Sequence, residues 1–140
     1  MAVVYLKDGT LEELALQPQV LEEYVAFLKG NASRGHLSQR TAGHGHRQLT
    51  ALNFQDVCGV VVGQFNEAVP HTLLTFRFRS GARAELPVAV SDVAGDWIDL
   101  PPEQFLHWLA GDETFSALTY NSDRFHFAFD AREIVFASLS

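Results

Sequence analysis

The sequence predicts an α+β domain, with an antiparallel sheet of about six or seven strands and two helices packed against it. Three observations predict this. Apolar residues alternate strictly in short runs, most clearly Phe125, Phe127 and Phe129. Turn residues separate those runs at hairpin spacing. Helical periodicity is confined to two segments, 18–29 and 102–110. Runs of hairpins with segregated helices indicate α+β and not an alternating doubly wound fold.

The elements follow in order. Ala2–Leu6 is β-prone, and Lys7-Asp8-Gly9-Thr10 holds the Asp-Gly pair that hairpins favour. Leu11–Leu16 reads either as the return strand or, through Thr10 and Glu13, as a capping box; the strand is favoured. Pro18 suits a first helical turn, and Val20, Leu21, Tyr24, Phe27 and Leu28 recur at helical spacing. Lys29 and Gly30 provide a charged last turn and a left-handed stop. Residues 31–48 have no apolar period, with three Gly and three His. A mobile basic loop is expected there, and structureless segments of that length usually carry function or disorder.

From Leu49 onward the chain reads as sheet. Val57–Phe65 is apolar and β-branched, with Gly59 and Gly63 as bulges or points of close approach. His71–Phe78 and Ala82–Val88 flank a turn whose length follows from side-chain alternation. A two-residue Ser80-Gly81 loop would pair Phe78 with Arg83 and put a charge on the apolar face. A three-residue loop, Arg79-Ser80-Gly81 with Gly81 left-handed, pairs Phe78 with Ala82 and restores both faces. Thr75, Arg77, Arg83 and Glu85 then share the opposite face. Pro102–Ala110 forms a second helix with Phe105, Leu106 and Leu109 inward. Three short strands close the chain: Phe115–Tyr120, Arg124–Phe129 with Arg124, His126 and Ala128 on its outer face, and Glu133–Ser138, which can sit at a sheet edge.

The chain has 140 residues, 47% of them hydrophobic, which suits one globular domain, 1–140. Cys58 is the one cysteine and reads as a small buried hydrophobe, so no internal disulfide points to secretion. The run Met1–Thr10 is not expected to act as a signal peptide, and no apolar stretch approaches the ~20 residues of a membrane helix. A cytoplasmic location is expected.

Net charge is −7 and unevenly spread. Residues 24–55 hold Lys29, Arg34, Arg40 and Arg47 and no acid, a net of +4. Residues 84–123 hold eight acids and no Lys or Arg, a net of −8. Such asymmetry speaks to partners more than to fold.

Candidate binding residues follow from this layout. Arg34, His36, Arg40, His44, His46 and Arg47 offer guanidinium forks and imidazoles on the 31–48 segment, suited to an anion. His44-Gly45-His46 also has the look of half a metal site, with His36, Asp56, Cys58 or His71 as further ligands. Nothing in the spacing requires a metal, so neither metal nor cofactor is expected. Asp92, Asp96, Trp97, Asp99 and Glu103 form an acidic patch with an aromatic anchor for a basic partner, and their pattern is not that of a calcium loop. Ser33, Ser38 and Ser80 show no readable His or Asp companions, and Glu12-Glu13 and Glu22-Glu23 read as ordinary surface charges. No phosphate-cradling glycine motif is present, and a net negative chain disfavours nucleic acid.

The function expected is that of a non-enzymatic interaction module. It would act through segregated charge and self-association, with another protein or a second copy as partner and a homodimer favoured. The alternative is a small enzyme or anionic-ligand binder using the 31–48 segment.

Overall fold

The computed structural model describes residues 2–17, 19–30, 34–41, 45, 47–63, 71–89, 106, 117–121 and 125–140. They form β1 (Ala2–Leu6), β2 (Leu11–Leu14), α1 (Gln19–Leu28), β3 (Gly35–Thr41), β4 (Arg47–Asn53), β5 (Val57–Gly63), β6 (His71–Phe78), β7 (Arg83–Ala89), β8 (Ala117–Asn121), β9 (Phe125–Asp130) and β10 (Ile134–Leu139). The strands build a five-stranded sheet in the order β2-β1-β5-β9-β8, a three-stranded sheet β10-β6-β7, and the two-stranded hairpin β3-β4. Every pairing is antiparallel. The sheet-rich α+β class is therefore as expected. The single sheet of six or seven strands is not, because ten strands in three sheets occur among the described residues.

The five-stranded sheet is the middle layer. On one face Tyr5, Cys58, Val61, Phe127 and Phe129 meet Leu74, Phe76, Phe78, Ala84, Leu86 and Ile134 of the three-stranded sheet. Phe129 is central there and meets Phe76, Phe78 and Tyr5 edge-on, with ring centroids 5.0, 5.4 and 6.0 Å away. On the other face Ala2, Val4, Val57, Val60 and Ala128 pack against Leu16, Val20, Leu21, Tyr24 and Leu28, with Leu52 and Phe54 beside them. This corrects the outer-face reading of Ala128. A strand in a middle layer is buried on both sides, so Ala128 is inaccessible and His126 half-buried.

A bulge allows β5 to serve both cores. Tyr5 pairs with Gly59 but Leu6 pairs with Val57, leaving Cys58 as an extra residue. Cys58 and Gly59 thus face the same core while Val57 turns to the other. Gly59 has no room for a side chain, because an added Cβ would lie 1.9 Å from Phe129 Cδ1.

Leu11–Leu14 is the return strand of β1. Helix α1 buries Val20, Leu21, Tyr24 and Leu28 and stops at Gly30, φ 80°. The β6–β7 connection is the three-residue one: Phe78 N donates to Ala82 O at 3.0 Å, Gly81 N donates to Phe78 O at 2.9 Å, and Gly81 has φ 93°. The expected aperiodic loop over 31–48 is overturned across 35–41 and 47–48, which belong to the β3–β4 hairpin. Of the second helix, 102–110, only Leu106 lies within the described residues; it is helical and packs on the aromatic core. Among the described residues no helix is long and apolar enough to cross a membrane.

Candidate functional site

Strand β3 lies beside α1, and its alternation decides what the expected binding segment presents. His36 and Ser38 point inward at 6% and 3% exposure, whereas Leu37 and Leu49 point outward at 67% and 55%. The inward face of the hairpin thus buries polar His36 and Ser38 together with Leu52, while two leucines stand on its mixed outward face. The inward groups are satisfied in line. His36 Nδ1 lies 2.5 Å from Glu23 Oε2 and His36 Nε2 lies 2.7 Å from Ser38 Oγ. An ionised carboxylate only accepts, so Nδ1 carries the proton it donates to Glu23, and a neutral ring accepts at Nε2 from the Ser38 hydroxyl. This corrects two readings: Ser38 does have a His companion, and Glu23 is not a bare surface charge.

Carboxylate, imidazole and hydroxyl in this order are the parts of nucleophile activation. Access runs the wrong way for it. The Glu23 side chain is 41% exposed, while Ser38, the group that would attack, is the buried end. In this arrangement the three residues clamp β3 to α1. Arg34 O accepting from Phe54 N at 2.8 Å, and the Phe54 ring packing tilted against Tyr24 and Phe27, fix the same junction. Tyr24 completes it by donating from its hydroxyl to Val57 O at 2.8 Å, and burial drives its phenol far above the ordinary range.

The remaining candidate residues are not gathered into one site. Arg34 and Arg47 are exposed at opposite ends of the hairpin; Arg47 reaches Gln39 Oε1 at only 3.5 Å. Arg40 is paired in β3 opposite Gln48. His44 and His46 lie outside the described residues, as do Asp92, Asp96, Trp97, Asp99 and Glu103. Among the described residues no three of His, Cys, Asp and Glu group at metal-binding distance. Cys58 is fully buried, and burial, with the Glu133 carboxylate adding, pushes its thiol up to about 11.

A second surface was only partly visible in the sequence. β10 is an edge strand of the three-stranded sheet. Ser140 N donates to Leu73 O at 3.0 Å, and Leu73 N donates back at 2.8 Å. By antiparallel alternation the backbone groups of Ser138 also face β6, and those of Ala137 and Leu139 face outward. Val135 and Phe136 stand 43% and 48% exposed beside this edge. From Ile134 to Leu139 no residue is charged, whereas edge strand β2 carries Glu12 and Glu13 and edge strand β7 carries Arg83, Glu85 and Pro87. The signal in the sequence was the uncharged run after Glu133; its edge position needed the topology. Comparison with family models, with curated proteins and with solved structures found no significant match to this chain.

Proposed function

We propose that the protein is a non-enzymatic interaction module that self-associates through β10. The observation that carries this reading is an edge strand without charge or proline, flanked by two exposed apolar side chains. Proteins ordinarily guard such edges, because open N–H and C=O groups template pairing with another chain. Two copies of β10 paired antiparallel about Ala137 bring no like charges together within the strands. Phe136 then lies beside Ser138 of the partner subunit, and Val135 beside the partner's Leu139. The +4 and −8 segments supply a second, electrostatic contribution between copies. Sedimentation over a range of concentrations tests the proposal. A dimer is expected, and Ala137→Pro, which removes an N–H that this sheet does not use, should give a folded monomer. A wild-type monomer at every concentration sinks the reading.

One observation favours a second reading, a small enzyme or anionic-ligand binder using the 31–48 segment: the in-line Glu23, His36 and Ser38 groups. It requires the hairpin to move and uncover Ser38. Covalent labelling of Ser38 by a fluorophosphonate, lost in His36→Ala, would support it, and an unlabelled protein removes it.

A further inference from the structure

On the face of the three-stranded sheet opposite the core, Arg77 and Arg83 are directly opposed in register, and both are exposed. Phe78 N bonds Ala82 O, so the next pair along, Arg77 with Arg83, is a non-hydrogen-bonded one. Such pairs bring Cα atoms to about 4.5 Å and their side chains closest. Two like charges placed this way destabilise a sheet. Among the described residues neither arginine has an ion-pair partner, although the chain is acidic overall and Glu85 stands on the same face. On its other side the Arg77 guanidinium sits over the Phe136 ring, 5.9 Å from the centroid. Phe136, Arg77 and Arg83 therefore form one row across three strands.

We infer that Arg77 and Arg83 form an oxyanion site for the phosphate group of a phosphomonoester, with Phe136 as an apolar wall for the remainder of the ligand. Two planar forks on adjacent strands offer bidentate donors to one tetrahedral group. A phosphate close to doubly charged near neutral pH offsets both cations, which one carboxylate does not. A polynucleotide fits less well, since the row offers a single aromatic ring on a net negative protein.

The test is ¹⁵N NMR of the arginine Nε–H groups during titration with inorganic phosphate, then methyl phosphate, then acetate, at ionic strength held constant with sodium chloride. Saturable shifts at Arg77 and Arg83 are expected, with a midpoint on the order of millimolar for both phosphates and about tenfold weaker for acetate. Arg83→Gln should abolish saturation without lowering the midpoint of thermal unfolding, because it also relieves the like-charge pair. Arg83→Lys, which keeps the charge and loses the fork, should weaken binding several-fold. Non-saturating shifts that sodium chloride reproduces, or an unchanged titration in Arg83→Gln, overturn the site. Acetate binding as tightly as phosphate overturns the ligand class.

Discussion

His36 and Leu37 are adjacent in the chain and have opposite fates. The imidazole is buried with both nitrogens satisfied, while the leucine stands 67% exposed. Replacing His36 with Ala deletes two hydrogen bonds and leaves the Ser38 hydroxyl buried without a partner, which costs about 1–3 kcal/mol. Leu37→Thr removes little buried surface and should change stability by less than about 0.5 kcal/mol. Chemical denaturation of the two variants checks the ranking, which is the reverse of what hydropathy alone suggests. Cys58 supplies a prediction about pH. Its thiol rises from 9.0 to about 11 on folding, through burial first and the Glu133 carboxylate second. A raised folded-state value means the stabilisation is intact below pH 9 and lost as pH climbs towards 11. Tyr5 and Tyr24 are raised as well, so alkaline loss of stability is shared among the three. Cys58→Ala isolates the thiol: its unfolding free energy should fall by roughly 2 kcal/mol less than wild type between those two pH values.

At the scale of elements, two glycines carry different constraints. Gly81 has φ 93° with nothing within 4 Å of an added Cβ, so the cost of a side chain there is conformational alone. Gly81→Val should destabilise by about 1–2 kcal/mol, from a β-branched residue in a left-handed turn. Gly59 lies under the Phe129 ring, and Gly59→Ala must displace a fully buried aromatic side chain that Phe76 and Phe78 pin edge-on. A loss of about 1–3 kcal/mol is expected from that overpacking. Near-ultraviolet circular dichroism separates the two: only the Gly59 variant should alter the aromatic signal. The β6–β7 loop length was legible because Leu74, Phe76, Phe78, Ala84 and Leu86 all had to share one face, and a one-residue slip reverses every side chain. The β3–β4 hairpin was not legible. Its outward face is mixed and its inward face holds His36 and Ser38, so no apolar period marks it. Backbone pairing, a Glu23 contact from α1 and the single buried Leu52 hold it instead.

For the whole molecule, salt distinguishes the two contributions to self-association. Pairing of β10 with β10 rests on backbone hydrogen bonds and apolar contact, and its dissociation constant should change little with ionic strength. Attraction between the +4 and −8 segments is screened, since the Debye length is about 8 Å at physiological ionic strength. Sedimentation equilibrium at low and high salt should therefore show a dimer that persists, together with a weaker salt-sensitive component. A dimer that dissociates fully at high salt would shift the interface from the strand to the charged segments.

Residues close in sequence determined a good part of this structure by themselves. The helix ending at Gly30, the strand after the Asp8-Gly9 turn, the three-residue loop at Gly81 and the outward placement of Arg77 and Arg83 all follow from periods and turn chemistry spanning fewer than about ten residues. The tertiary structure alone decided that the sheet divides in three, that Ala128 is covered by a second core, that Glu23 meets His36, and that Phe136 lies beneath Arg77. Each of those depends on which strands become neighbours. Alternation fixes the faces of a strand but not its partners, because backbone pairing is the same for every sequence; partner choice is made when the layers close over Phe129 on one side and α1 on the other.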